Sequence, residues 1–429
     1  MKKTVDVITL GCSKNLVDSE LLMRQFEALG YQVRHDPQNP NGEIVIINTC
    51  GFIGDAKEES IRTILQFAER RKKNKIDKLL VMGCLSQRYQ NELQAEIPEV
   101  DKFYGKFNFP EILTDLGQDF RADLRWERTL TTPSHYAYVK ISEGCNRTCS
   151  YCAIPLITGR HRSRPMEEII NEVQSLTSKG VKEFQLIAQD LSYYGADLYK
   201  SLKLPELVER LSDIPGVEWI RLHYAYPAQF PYDLLKVMRE RDNVCKYLDI
   251  ALQHISDKML KVMRRNFTKQ ETIELIETIR KEVPGIHIRT TMLLGHPGET
   301  EDDVEELKKF IKQTRFERLG AFAFSNEEGT YAFDNYLDNI PEEEKLKRVD
   351  EIMAIQQKIS AEINQTKIGK RLKVIIDRQE GENFIGRTEF DSPEVDPEVI
   401  ISDKVQGIEI GQFYLVEIVD ADEYDLYAK

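Results

Sequence analysis

Cys145, Cys149 and Cys152 stand in the run Glu143-Gly144-Cys145-Asn146-Arg147-Thr148-Cys149-Ser150-Tyr151-Cys152, a C-x3-C-x2-C spacing with an aromatic residue before the last cysteine. Three thiolates on so short a loop can each hold one iron of a cubane cluster, leaving the fourth iron open. A structural zinc needs four protein ligands, and no fourth cysteine or histidine follows at a finger spacing. A redox switch is the competing reading of three cysteines on a polar loop.

Three further cysteines each close an apolar run. Cys12 follows Val5-Asp6-Val7-Ile8-Thr9-Leu10-Gly11, Cys50 follows Ile44-Val45-Ile46-Ile47-Asn48-Thr49, and Cys84 follows Leu79-Leu80-Val81-Met82-Gly83. Each run reads as a buried parallel strand. Leu22, Phe26 and Leu29 recur at helical spacing after the first cysteine, and Ile61, Ile64, Leu65 and Ala68 after the second. Residues just past the carboxyl ends of parallel strands share one edge, where ligands bind, so these distant cysteines are expected to meet. The bland alternative is three ordinary buried thiols. Cys245, alone near Tyr247-Leu248-Asp249-Ile250, reads as core.

The compact run resembles the signature of the radical SAM superfamily. That resemblance implies a 4Fe-4S cluster on Cys145, Cys149 and Cys152, whose open iron is chelated by the amino and carboxylate groups of S-adenosylmethionine. Two cysteine triads, the distant one first, resemble the methylthiotransferase family over nearly the whole chain. Leu10-Gly11-Cys12-Ser13-Lys14-Asn15-Leu16-Val17-Asp18-Ser19-Glu20 is similar to the opening motif of the branch that modifies a ribosomal protein. The family implies a second 4Fe-4S cluster on Cys12, Cys50 and Cys84 that carries the sulfur to be transferred. It further implies a 5'-deoxyadenosyl radical as hydrogen abstractor, and an aspartate β carbon of small-subunit ribosomal protein uS12 as acceptor. A tRNA methylthiotransferase acting on isopentenyl-adenosine and a non-enzymatic iron–sulfur adaptor are the rival readings. A reducing electron donor is an implied partner.

The elements that must position these residues follow from periodicity and size. At 429 residues the chain exceeds one ordinary core. We divide it into 1–120, 131–363 and 364–429, with a polar and aromatic linker from Phe107 to Pro133. Strand-like runs at 136–141, 184–188, 219–223, 247–252, 286–294 and 319–324 alternate with helical ones such as 167–176 and 303–311. This is an α/β pattern that predicts a partial (β/α)6 barrel after an open parallel α/β sheet. A long helix is expected over 341–367, with Leu346, Val349, Met353, Ile359 and Ile363 on its buried side. Short segments at 372–377, 384–388, 399–401, 413–419 and 424–428 predict a small antiparallel β-barrel, similar to the OB-like TRAM domain.

Strand carboxyl ends also select the secondary site residues. Tyr151 matches the family's aromatic position near the adenine. Gln189, with Asp190, and Gln253 end the second and fourth core strands, and Gly295, in Gly295-His296-Pro297-Gly298-Glu299, resembles a family turn near the methionine moiety. These are the cofactor-binding candidates; His254 and His296 read as hydrogen-bonded structural residues.

A formal net charge of −13 opposes general affinity for nucleic acid. Residues 364–429 carry eight Lys/Arg against fifteen Asp/Glu, an acidic face suited to a basic protein. In Gly159-Arg160-His161-Arg162-Ser163-Arg164-Pro165 the arginines are expected to bind carbonyls and carboxylates near the cluster. Seven cysteines, an odd number, indicate a reducing cytoplasm. No segment suits a bilayer, no secretory signal is read at the amino terminus, and the absence of heptads implies a monomer.

Overall fold

The three apolar runs that end in cysteine form neighbouring strands of one parallel sheet. In the computed structural model, which describes residues 3–402, 405 and 407–429, β1 (Thr4–Thr9), β2 (Gln32–His35), β3 (Ile44–Thr49), β4 (Lys78–Gly83) and β5 (Lys102–Phe103) pair in the order β2-β1-β3-β4-β5. The register aligns the carboxyl ends: Thr9 lies opposite Asn48, and Thr49 opposite Gly83. Helices Ser13–Ala28, Gly54–Lys72 and Cys84–Glu96 begin at or within a few residues of the three cysteines and cover the sheet. Their apolar stripes decide which face turns inward. Leu22, Phe26, Ile64 and Ala68 are buried as expected, but Ile61 and Leu65 are 37% and 48% exposed, because the sheet is narrow and only Ile64, Phe67 and Ala68 reach it.

The linker is more structured than its composition predicts. It carries the helix Phe109–Asp115 and delivers Arg128 into a dry seam, where the guanidinium meets Glu20 at 3.1 Å and Glu172 at 3.0 Å. A buried arginine needs such partners, and these tie the first sheet's leading helix to a helix of the next unit.

That unit is built on β6 (Tyr136–Lys140), followed by the short hairpin β7 (Ser142–Glu143) and β8 (Arg162–Ser163) that brackets the compact cysteine loop. The other strands, β9 (Glu183–Ile187), β10 (Trp219–Ala225), β11 (Val244–Ile250), β12 (His287–Leu294) and β13 (Arg318–Ala323), complete a six-stranded parallel sheet in sequential order from β6 to β13. The α/β partial barrel expected from the alternation is the observed fold.

The long helix spans Glu342–Gln365, and of its expected buried side Val349, Ile359 and Ile363 pack on the core while Leu346 and Met353 do not. Ile352 and Ile359 point inward with Lys345, Arg348 and Gln356, while Leu346 and Met353 are 51% and 37% exposed. Ion pairs hold the inward cations: Lys345 reaches Asp338 at 2.9 Å and Arg348 reaches Glu299 at 2.8 Å.

Beyond it, β14 (Arg371–Glu380), β15 (Asn383–Thr388), β16 (Val399–Ser402), β17 (Phe413–Ala421) and β18 (Leu426–Ala428) close a barrel. All neighbours are antiparallel except β16 and β18, which run parallel because the last strand returns beside β16 to close the ring. The acidic surface expected of this barrel turns partly inward. Arg387 bridges Asp377 and Glu183 at 2.6 and 2.8 Å, Arg318 meets Asp391 at 2.5 Å, and Arg289 pairs with Asp396. Asp391 and Asp396 thus neutralise arginines of the preceding barrel, while Arg387 of the last domain joins its own Asp377 to Glu183 of that barrel, which leaves Glu394 and Asp420 among the outer charges.

Candidate functional site

The distant triad assembles at the aligned strand ends. A Cβ on Gly11 would stand 2.8 Å from the Cys50 Cβ and 3.0 Å from its Sγ, so a glycine there, at φ +93°, leaves the cradle open. The Cys84 thiol faces Asn15 Oδ1 at 3.6 Å. Lys106 stands behind them, 2% exposed, with Nζ 3.4 Å from the same Asn15 Oδ1 and 3.1 Å from Asp18 Oδ2. Cys12 is exposed where Cys50 and Cys84 are buried, and the surrounding protein works to raise all three thiols. For Cys12, Lys14, Lys106 and the backbone N–H groups of Asn15 and Lys14 more than offset this, so that thiol is lowered. Cys50 remains raised, and Cys84 is pushed up to about 12. A lowered thiol favours the thiolate, the metal-binding form.

The compact triad sits on the loop between β7 and the helix Ile154–Thr158. It lines a cavity of about 570 Å³ with Arg147, Arg160 and Arg264. Burial pushes Cys145 up to about 12 despite the Arg147 N–H, which donates to its Sγ at 3.4 Å. Arg265 is the cation whose side chain bonds a thiol here. Its Nη1 donates to Cys149 Sγ at 3.2 Å and to Tyr151 Oη at 3.1 Å, and its Nη2 donates to the Ala251 carbonyl.

Among the described residues no three His, Cys, Asp or Glu groups stand close enough to hold one metal ion between them. A cubane asks for a different spacing, since each thiolate takes its own iron. Both triads fit that demand chemically: three sulfur donors with a buried cation beside them. Further fit comes from Gln189 Oε1 and Asp190 Oδ1, buried acceptors with no hydrogen-bond donor among the described residues.

The two triads meet across one seam. Cys84 packs with Ala153, which directly follows Cys152, and with Ile157 of the next helix. Lys140 pairs with both Asp18 and Glu143, so a chain of buried charges runs from Lys106 through Asp18 and Lys140 to the start of the compact loop. Lys57 and Arg88, from the helices after Cys50 and Cys84, reach Glu327 at 2.6 and 3.5 Å. Beside this seam a cavity of about 780 Å³ is lined by Phe52, Asp55, Tyr151, Gln253, Leu293 and Phe324 among others.

Tyr151 and Gln253 therefore share one cavity. Gln253 stands at φ +73°, a conformation rare outside glycine, which marks it as held by its surroundings. Gln189 lies apart, donating to Glu143 Oε2 at 3.1 Å, and Asp190 accepts from Arg147 Nε at 2.8 Å. Gly295, at φ +78°, is covered by the Lys345 side chain and does not line that cavity. His254 Nδ1 accepts from the Ile255 and Ser256 N–H groups, and His296 Nε2 contacts Ser150 Oγ at 2.8 Å, the structural roles expected. Cys245 is core, against Trp219, Tyr247 and Ile375. Of the basic stretch, Arg164 binds the Lys140 carbonyl and Glu172, Arg162 lies over the Phe107 ring, and only Arg160 lines the cysteine cavity. Lys106 and Arg265 escaped the sequence reading, because a lone lysine and one of two adjacent arginines carry no spacing signal.

A six-stranded parallel partial barrel with three cysteines on its first loop defines the radical SAM class, and residues 139–311 match the Radical SAM superfamily model. Residues 4–105 match the model described as uncharacterized protein family UPF0004, and residues 368–429 match the TRAM domain. Among solved structures the chain is similar to the radical S-adenosylmethionine methyltransferase TsrM from Kitasatospora setae, with a TM-score of 0.55 at 14% identity over 75% of this chain and 73% of that one, a likeness of fold. Among proteins named ribosomal protein uS12 methylthiotransferase RimO, that of Bacteroides thetaiotaomicron is 68% identical over 100% of this chain and 98% of its own. The one from Phocaeicola vulgatus is 67% identical over 100% and 99%. The chain belongs to the RimO family of radical SAM methylthiotransferases.

Proposed function

We propose that this chain places a methylthio group on the β carbon of an aspartate in small-subunit ribosomal protein uS12. Cys145, Cys149 and Cys152 would hold one 4Fe-4S cluster and S-adenosylmethionine, and Cys12, Cys50 and Cys84 a second cluster bearing the sulfur. The observation that carries the reading is the meeting of two thiol triads, from separate parts of the chain, at one seam. The names of the relatives support the substrate. An unactivated C–H bond offers no acidic proton and no leaving group, and a radical cofactor supplies the hydrogen abstraction that side-chain acids and bases cannot.

The chain's own residues bind, shield and orient. Arg265 offsets thiolate charge at Cys149 while its bond to Tyr151 fixes the ring that walls the cavity. Gln189 Oε1 and Asp190 Oδ1 offer acceptors to an amino or hydroxyl group of the cofactor. Leu293 and Phe324 keep the cavity floor apolar, which protects a radical from water. Phe52, Ile53, Phe322 and Leu346, all exposed at its mouth, would receive the substrate loop.

The same reading places the enzyme in the cytoplasm, with a low-potential electron donor as partner; no helix among the described residues is long and apolar enough to cross a membrane. It takes the chain as a monomer of three units, 1–120, 131–363 and 364–429, without direct nucleic-acid binding.

The test is anaerobic reconstitution with iron and sulfide, then reaction with S-adenosylmethionine, a reductant and either a uS12 peptide or an anticodon stem-loop, read by mass spectrometry. A methylthio mass gain on aspartate in the peptide alone is the expected result. Gain on the RNA alone overturns the substrate and assigns the tRNA branch, and reductive cleavage with neither product leaves no methylthiotransferase.

A further inference from the structure

We infer that Lys106 is the fixed counter-charge of the Cys12, Cys50 and Cys84 site, a positioning residue that raises the reduction potential of the cluster held there; this rests on the two-cluster reading above. Lys106 follows β5, the strand beside β4, and is closed in on the side of the sheet's carboxyl edge. Its Nζ is 3.1 Å from Asp18 Oδ2 and 3.4 Å from Asn15 Oδ1, the oxygen that also faces the Cys84 thiol. Asp18 is shared, since Lys140 binds it too and Lys140 also binds Glu143. Two ammonium groups thus balance two carboxylates, and three thiolates would add negative charge to a region already neutral.

Lys106 reaches the site through the Asn15 oxygen that also faces the Cys84 thiol, whereas Lys14, next but one after Cys12, has its Nζ held 3.7 Å over the Tyr224 ring. One-electron reduction adds charge to a cluster without breaking a bond. A buried ammonium that shares the Asn15 oxygen with a cluster ligand stabilises the reduced form, and outer groups of this kind are among the levers that set cluster potentials.

The test uses full-length protein carrying C145A, C149A and C152A, so that only the distant site takes iron, reconstituted anaerobically and titrated with dithionite under EPR. Relative to Lys106, K106M and K106Q should shift the oxidised-to-reduced ratio at fixed potential at least tenfold toward oxidised, about 59 mV for a one-electron couple, and K106R should restore it. Full iron loading with an unshifted potential in either neutral variant overturns the proposal. If neither neutral variant holds iron but K106R does, coincident thermal melts of the apo-proteins support the counter-charge. Melts that fall together with the iron assign Lys106 a structural ion pair only and overturn it. Absence of any iron–sulfur absorbance in the Lys106 parent refutes the two-cluster reading itself, and the inference with it.

Discussion

The compact triad is made by one loop, and the distant triad by the meeting of three strands. Cys145, Cys149 and Cys152 lie within eight residues, so local backbone alone brings them near one another. Cys12, Cys50 and Cys84 come together only when β1, β3 and β4 pair in register. Each site has a deeply buried cation, of a different kind. Arg265 touches its cysteine directly through a forked guanidinium, while Lys106 acts as a point charge behind an asparagine. A locally coded site can be rigid before the domain is complete; a tertiary one depends on the sheet.

The sharpest way to separate the two is to remove one thiol from each. C149A should reduce 5'-deoxyadenosine formation to background and with it methylthio transfer. C50A should preserve S-adenosylmethionine cleavage while abolishing methylthio transfer, and each variant should lose roughly half of the bound iron. Chromatography of the nucleoside and mass spectrometry of the uS12 peptide check both. Equal loss of cleavage in the two variants would erase the division of labour.

The seam between the sites should be next in size. R128M leaves two buried carboxylates short of a partner, a change that costs about 3 kcal/mol. The low end is expected because Glu20 keeps the Thr131 donors and Glu172 keeps Arg164. Denaturant unfolding measures it, and iron should fall at Cys12, Cys50 and Cys84 before the compact loop. Loss in the opposite order would make the compact site the more dependent of the two.

How much of this was legible in the sequence follows the same division. The C-x3-C-x2-C spacing disclosed the compact site, and three apolar runs ending in cysteine disclosed the other once the edge of a parallel sheet was considered. The α/β alternation yielded the partial barrel, because period and length were clear. The missed features are long-range. Lys106 and Arg265 gain meaning only from what faces them. On the helix Glu342–Gln365, Lys345 and Arg348 turn inward to Asp338 and Glu299 while Leu346 and Met353 stay exposed, a pairing that hydrophobic periodicity cannot see. The last domain's negative charge was read as a surface, yet Asp391 and Asp396 are consumed by arginines of the barrel beneath, and Asp377 by Arg387 of its own domain and by His135.

That last interface gives a pH-dependent contrast to the cysteine sites. Burial works to raise Asp377, but Arg387 and the His135 hydrogen bond win, and the carboxyl is lowered to about 2. A carboxyl lowered on folding contributes stability that is complete above its unfolded value near pH 4 and lost as pH falls through about 2. The contribution is about 2 kcal/mol. In D377N the acid limb between those pH values should flatten in denaturant melts, and iron binding at neutral pH should be unchanged. A limb that keeps its slope would assign it to other carboxylates.

At the compact site, R265M should destabilise the apo-protein by about 1 to 2 kcal/mol, since Cys149, Tyr151 and the Ala251 carbonyl each lose a donor.

Lys14 offers the finest probe. It lies beside Cys12 in sequence, yet its ammonium rests on the Tyr224 ring of the barrel, so it spans the two units by a cation–π contact. Such a contact is worth about 0.5 to 1 kcal/mol when partly exposed and more when desolvated, and Lys14 is 9% exposed. K14M retains most of the aliphatic stem and removes the charge, so about 1 kcal/mol of stability should be lost. Pairing it with Y224L in a double-mutant cycle isolates the contact from effects on Cys12. A coupling near zero would show that Lys14 serves the thiolate alone, and that Lys106 and the seam carry the linkage between the sites.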